Sequence, residues 1–217
     1  MKTRKESFFG IHCDFHAKPS KSDTIGATLR EEEIREICRT LKPDFIQIDC
    51  KGHPGYASYP SEIGNAMPHF ALDPMPIWRK VTREYGIPLY VHFSGVYDAK
   101  YCAEHGDECV INASGAPTDY VRMDGTYLDT YFIPQISELV EKYDIDGVWV
   151  DGDCWAVRND YRPETIRKFE NKLGISLNGA VPKCTGDTYF DEFTDFTREE
   201  YRNYLRYYVD RLHEKFP

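Results

Sequence analysis

Apolar residues along the chain follow two rhythms that take turns. The segment 44–50, DFIQIDC, alternates with period two, as a strand does. Just before it, Ile34, Ile37, Cys38 and Leu41 fall three or four residues apart, the spacing of one helix face. Read this way from end to end, residues 8–17 form a strand entering a polar loop. Residues 28–43 form a helix with Thr28 and Glu31 as a capping box. After the strand at 44–50 come a helix at 74–86 closed by Gly86 and a third strand at 87–95. Residues 127–144 form an amphipathic helix that Pro134 either kinks or starts anew. The fourth strand is the run DGVWVDGD at 146–153, and two further helices occupy 162–174 and 191–216.

Strands that alternate with helices imply parallel pairing through right-handed crossovers. Long polar loops follow each strand, whereas KPD, GIP and DID make short returns from helix to strand. That asymmetry is the mark of a (β/α) barrel, whose function sits at the C-terminal strand ends. A doubly wound sheet is the alternative. An eight-unit barrel takes ~250 residues, and only four strands are counted here. The expectation is therefore an α/β chain of TIM-barrel type: a single, incomplete barrel domain over 1–217, with about four β/α units plus C-terminal helices.

Composition narrows the function classes. A net charge of −9 argues against nucleic acid as a partner, because phosphate contacts need a basic face. The N-terminus MKTRKESFFGIHCDF lacks the apolar core of a signal sequence, and no stretch reaches membrane-spanning length, so no membrane partner is expected. Seven cysteines, an odd number with no C-x-x-C pair, read as free thiols in a reducing compartment, hence a cytoplasmic location.

Chemistry-bearing residues gather at the predicted strand ends. His12, Asp14 and His16 alternate after the first strand, and Asp49, Lys51 and His53 after the second. His92 ends the third, and Asp151 and Asp153 end the fourth, with Trp155 just beyond. Parallel strands bring such groups to one end of the sheet. Three chemistries fit. One is glycoside hydrolysis by a strand-end carboxylate. Another is metal-assisted hydrolysis through a His-x-Asp-x-His cluster on the first strand, completed by His53, His92 or Asp151. The last is nucleotide-sugar transfer with Asp151 and Asp153 holding a divalent ion. Singly, each residue has an ordinary reading as a cap, a turn or a core side chain.

The stretch YFIPQISELVEKYDIDGVWVDG resembles the α-L-fucosidases of glycoside hydrolase family 29. That family has a helix of the form Y-x-x-x-Q-x-x-E-L-x-x-x-Y, matched by Tyr131, Gln135, Glu138, Leu139 and Tyr143, before a strand with a W-x-D-G core. FFGIHCDFH is similar to its first strand, and CKGHPGYASYPS to its K-H-H-D-G-F loop, with Gly52 in place of the first histidine and Pro54 in place of the aspartate. The resemblance implies a retaining glycosidase with Asp151 as nucleophile. His12, Asp14, His16, Asp49, Lys51, His53, His92, Asp153 and Trp155 would be substrate-binding residues around a carbohydrate, with no cofactor and no metal. The family's acid/base lies on a later strand or loop, which leaves Glu62, Asp49 and Asp153 as local candidates. A truncated, non-catalytic glycan-binding remnant is the other reading. An open barrel edge would also leave room for self-association.

Overall fold

Four parallel strands carry the fold: β1 (Gly10–Cys13), β2 (Phe45–Lys51), β3 (Leu89–Ser94) and the later strand Gly147–Asp151, hydrogen-bonded side by side in chain order. The computed structural model describes residues 3–19, 24–152 and 157–217, so Asp153 and Trp155 lie outside the described residues. Helices α1 (Glu31–Leu41) and α2 (Pro74–Glu84) make the first two crossovers. Within the third connection come α3 (Ala99–Glu104), the strands β4 (Cys109–Ile111) and β5 (Pro117–Val121), and α4 (Ile133–Tyr143), before β6 (Gly147–Asp151). Helices α5 (Pro163–Leu173) and α6 (Phe190–Lys215) follow.

The register fixes the two faces of the sheet. Side chains paired across parallel strands share a face, and successive residues alternate. Ile11, Ile46 and Leu89 form one row, and Cys13, Ile48, Val91 and Val148 another, on the same face. Ile46, Ile48, Leu89 and Val91 are buried, as are Ile34 of α1, Val81 of α2 and Leu139 of α4. The opposite face holds His12, Gln47, Tyr90 and Gly147 in one row, and Asp49, His92 and Trp149 in the next. Glycines make room for rings there. A Cβ at Gly147 would come within 2.4 Å of Tyr90, and one at Gly10 within 2.0 Å of Phe45.

Local chemistry explains the helix ends. Asp73 caps α2 by accepting from Met75 N at 3.0 Å, and Pro74 follows it where no backbone donor is needed. The expected capping box at Thr28 does not form. A turn at Gly26, where φ is +78°, carries the chain through Thr28, and α1 starts three residues later than the pattern predicts, at Glu31. Pro134 sits in the first turn of α4, with a single π-type turn, Leu128–Phe132, before it. The proline thus starts the main helix, as one of the two sequence options had it.

By internal packing the chain forms two compact units, Met1–Gly95 with Tyr131–Asp151, and Val96–Thr130 with Gly152–Pro217. The second unit contains an element that the periodicity did not reveal, the antiparallel hairpin of β4 and β5. Its core joins Phe169, Leu177, Phe193 and Phe196. Asp160 ties the hairpin to α5 by accepting from Ile111 N at 3.0 Å and from Thr165 Oγ1 at 2.9 Å.

Candidate functional site

At the C-terminal ends of the parallel strands, histidines and aspartates converge on Asp151. His92 of β3 is buried and placed between two carboxylates: its Nδ1 pairs with Asp49 Oδ1, and its Nε2 lies 3.2 Å from Asp151 Oδ2. His53, in the loop after β2, approaches the same oxygen with Nε2 at 3.5 Å. Its Nδ1 is 2.7 Å from Ser94 Oγ, which fixes the ring. His16 stacks on His92, with ring centres 5.5 Å apart and planes 12° apart, and its Nε2 is 3.1 Å from Asp14 Oδ1. The His16 and His53 rings meet edge to face at 4.9 Å.

Burial and charge pull these groups in different directions. Burial opposes a charged His92, but the carboxylates of Asp49 and Asp151 outweigh it and hold its pKa above the ordinary imidazole value. Burial raises Asp49, with His92 as the main counterweight. His53 is lowered, first by burial and then by His16. Asp49 Oδ2 is buried and has no hydrogen-bond partner among the described residues. Two donor sets come close enough to hold a metal ion: Asp14, His16, Asp49 and His92, and separately His16, His53 and Asp151, each with its ligand atoms within 4.8 Å of one another.

His16, His53, His92, Asp14, Asp49 and Asp151 are therefore brought together. His12 is not part of either donor set. Strand β1 ends at Cys13, so the alternation that would align His12, Asp14 and His16 stops before it reaches the last two. His12 instead lies exposed on the open face, 5.3 Å from His92 and 5.5 Å from Trp149, ring centre to ring centre. Lys51 is buried and packs against aromatic rings. The register between β2 and β3 shifts after Asp49, and the buried Lys51 ammonium lies over the Phe93 ring at 4.6 Å and near Tyr131 at 5.4 Å.

Three contributors carry a part in the site that the sequence did not assign them. Trp149 is 45% exposed, unusual for a strand tryptophan, and its ring lies 5.1 Å from His92. Its signal was the period-two rule: two residues before Asp151 on a strand means the same face. Gly52 leaves space for His16, since a Cβ there would stand 2.6 Å from that ring. Ser94, paired with Asp151 in register, orients His53.

The helix signature has a structural meaning. Glu138 of α4 accepts from Tyr59 OH at 3.1 Å, Ser61 Oγ at 2.6 Å and Glu62 N at 2.7 Å. Tyr131 OH accepts from Asn65 N at 2.9 Å, and Tyr143 OH donates to Asp73 at 2.7 Å. Gln135 fills the space beside Gly64. These side chains clamp the loop that begins with His53.

No protein-family profile matches the sequence, and no curated protein does. Solved structures do match. The fold is that of part of an α-L-fucosidase. The enzyme in question, α-L-fucosidase isoenzyme 2 from Paenibacillus thiaminolyticus, superposes with a TM-score of 0.73 at 22% identity, over 95% of this chain and 31% of its own. The chain thus spans about a third of that enzyme's length. A hypothetical protein from Ruminiclostridium thermocellum matches with a TM-score of 0.59 at 15% identity, over 87% of this chain and 89% of its own. Among the described residues no helix is long and apolar enough to cross a membrane.

Proposed function

We propose that this chain is a wall of a (β/α) barrel in an α-L-fucosidase-like glycoside hydrolase, with Asp151 as the nucleophile of a retaining reaction. The observation that carries the reading is the setting of Asp151. It ends an apolar strand, 26% exposed at the side chain, with the Nε2 atoms of His92 and His53 aimed at one of its oxygens. An exposed tryptophan lies on the same face two residues before it. The fold shared with a fucosidase supports the barrel and the carbohydrate substrate.

In this mechanism Asp151 attacks the anomeric carbon, and the positive charge that develops on the sugar ring is met by its carboxylate. His92 and His53 hold the carboxylate in one orientation, and their remaining contacts go to sugar hydroxyls, gaining strength as the transition state forms. Trp149 offers its face to the apolar side of the ring. The second carboxyl group of a retaining enzyme stands ~5–5.5 Å from the nucleophile. Asp49 reaches Asp151 through the His92 ring and its side chain has no exposed surface, while Glu62 is 84% exposed at its side chain. The acid/base role therefore falls to neither of them.

That division sets the test. A substrate with a dinitrophenolate leaving group departs without protonation, so its first step depends on the nucleophile alone. Turnover of 2,4-dinitrophenyl α-L-fucoside by this chain is expected to fall by at least ~10³-fold in Asp151→Asn, the scale of losing a nucleophile. Azide, which fills the gap left by Asp151→Gly, restores release of the phenolate. Equal rates for the wild type and Asp151→Asn would overturn the assignment.

A further inference from the structure

The hydrolase reading leaves Asp14 and the second oxygen of Asp49 without work. We propose that Asp14, His16, Asp49 and His92 bind one zinc-class divalent cation, a site beside Asp151 whose existence does not depend on the glycosidase reading and which departs from the sequence expectation of no cofactor.

The four residues arrive from three separate segments: the loop after β1, the end of β2 and the end of β3. Each offers one ligand atom, and all four atoms lie within 4.8 Å of one another. Bonds of ~2.0–2.2 Å in a tetrahedral zinc site put neighbouring ligand atoms ~3.3–3.5 Å apart. Asp14, 61% exposed at its side chain, is free to swing and close that difference. Two imidazoles and two carboxylates suit zinc and its neighbours, and the imidazoles disfavour magnesium and calcium. The two carboxylates balance the charge of the ion.

Asp49 supplies the observation that a hydrogen-bonded cluster does not explain. Its side chain has no exposed surface, its Oδ1 pairs with His92, and its Oδ2 has no donor among the described residues. A buried carboxylate oxygen is nearly always satisfied, and a cation satisfies it. His92 is already oriented as a metal ligand would be. When Nδ1 exchanges its pairing with Asp49 for the ion, its Nε2–H points at Asp151 Oδ2 at 3.2 Å, the outer carboxylate that typically fixes a ligating imidazole. Gly52 completes the design, because any side chain there would push the His16 ring away. The glycine that replaces a histidine of the fucosidase loop thus makes space for a ligand.

The test uses the full chain, stripped with chelator and titrated with Zn²⁺ by calorimetry, with metal content measured after desalting and Co²⁺ spectra reporting the geometry. The expected result is about one equivalent of zinc, with tetrahedral Co²⁺ bands. Asp49→Asn and His16→Ala each weaken binding by at least roughly 100-fold, beyond the 10–100-fold of an outer-shell change. Asp14→Asn, at an exposed position that does not threaten folding, weakens it as well. Gly52→Ala weakens it without removing a ligand, and His213→Ala, far along α6, leaves it unchanged. No bound zinc in the wild type, or zinc binding unaffected in both Asp14→Asn and His16→Ala, overturns the site. Failure here leaves hydrolysis through Asp151 standing, and failure of hydrolysis leaves the zinc stoichiometry standing.

Discussion

Replacing Glu138 with alanine removes the acceptor that clamps the loop after β2 to α4. Three donors lose their partner: Tyr59 OH, Ser61 Oγ and Glu62 N. Tyr59 is fully buried, and a buried hydroxyl left without an acceptor costs ~1–3 kcal/mol. The bond from Ser61 is charge-assisted and half-buried, worth ~1.5 kcal/mol. The Glu62 amide is exposed and returns to water at little cost. The total is about 3 kcal/mol, a large share of the ~5–15 kcal/mol that holds a protein folded. For a chain of this size each kcal/mol lowers the melting temperature by ~2–4 °C, so Glu138→Ala is expected to melt ~6–12 °C lower. Urea unfolding followed by circular dichroism gives the free energy, and limited proteolysis locates the loosened segment between residues 52 and 66. Glu138→Gln keeps an oxygen acceptor and falls between the two. A loss under ~1 kcal/mol with no new cleavage in that loop would refute the clamp, since measured contributions of buried hydrogen bonds do not sink that low together.

Gln135 presents the opposite case: its amide is wholly buried and neither end has a hydrogen-bond partner among the described residues. Gln135→Leu, similar in volume, is expected to raise stability by ~1 kcal/mol in urea unfolding, and a loss of that size would show that the amide is satisfied. In the second unit, burial would raise the Asp124 carboxyl, but Arg122 and Lys168 outweigh it and hold it down at about 2. A folded pKa below the unfolded value of ~3.9 means stability that is present above pH 4 and lost as pH falls toward 2. The stability gap between wild type and Asp124→Asn is expected to close across that window, and a gap independent of pH would contradict the pairing. Among the described residues β1 and β6 each pair on one side only, and Trp149 on β6 is exposed, so sedimentation of the purified chain is expected to show concentration-dependent association. A monomer at every concentration would remove the open edge as a contact surface.

Much of the fold was legible where its segments are long and strongly periodic. The four parallel strands and the helices α1, α2, α4, α5 and α6 all follow from apolar spacing, and the short helix-to-strand returns predict parallel order. What stayed hidden has local causes. Strand β4 has three residues, too few for an alternation to stand out. Thr28 and Glu31 satisfy the capping-box pattern, yet a glycine two residues earlier turns the chain before the helix starts. Lys51 fits the strand-end pattern, and the structure adds what the pattern does not carry, a buried ammonium over the Phe93 ring beside a register shift after Asp49. Ile48 and Val148 lie on the helix-covered face, and Tyr90, one register row away, on the open one.

The site was legible as a list of residues and not as a set of contacts. Strand ends could be read from the sequence, and they pointed to His92, Asp49 and Asp151. That His92 bridges the two aspartates depends on neighbouring strands being in register, Asp49 with His92 and Ser94 with Asp151, which spacing along a single strand does not encode. The residues of the α4 resemblance have a structural part: Tyr131, Glu138 and Tyr143 are loop anchors, and the loop carries His53 toward Asp151.

The role of Asp151 is the centre of this account, and covalent trapping tests it most directly. A 2-deoxy-2-fluoro-α-L-fucosyl fluoride slows both steps of a retaining reaction while its fluoride leaves without acid help, so a glycosyl-enzyme ester should persist long enough to weigh. Intact-mass measurement followed by peptide mapping is expected to find one fluorosugar per chain, on Asp151, and none on Asp151→Asn. A chain that stays unmodified, or carries the sugar on another residue, would contradict the assignment of Asp151 as the nucleophile.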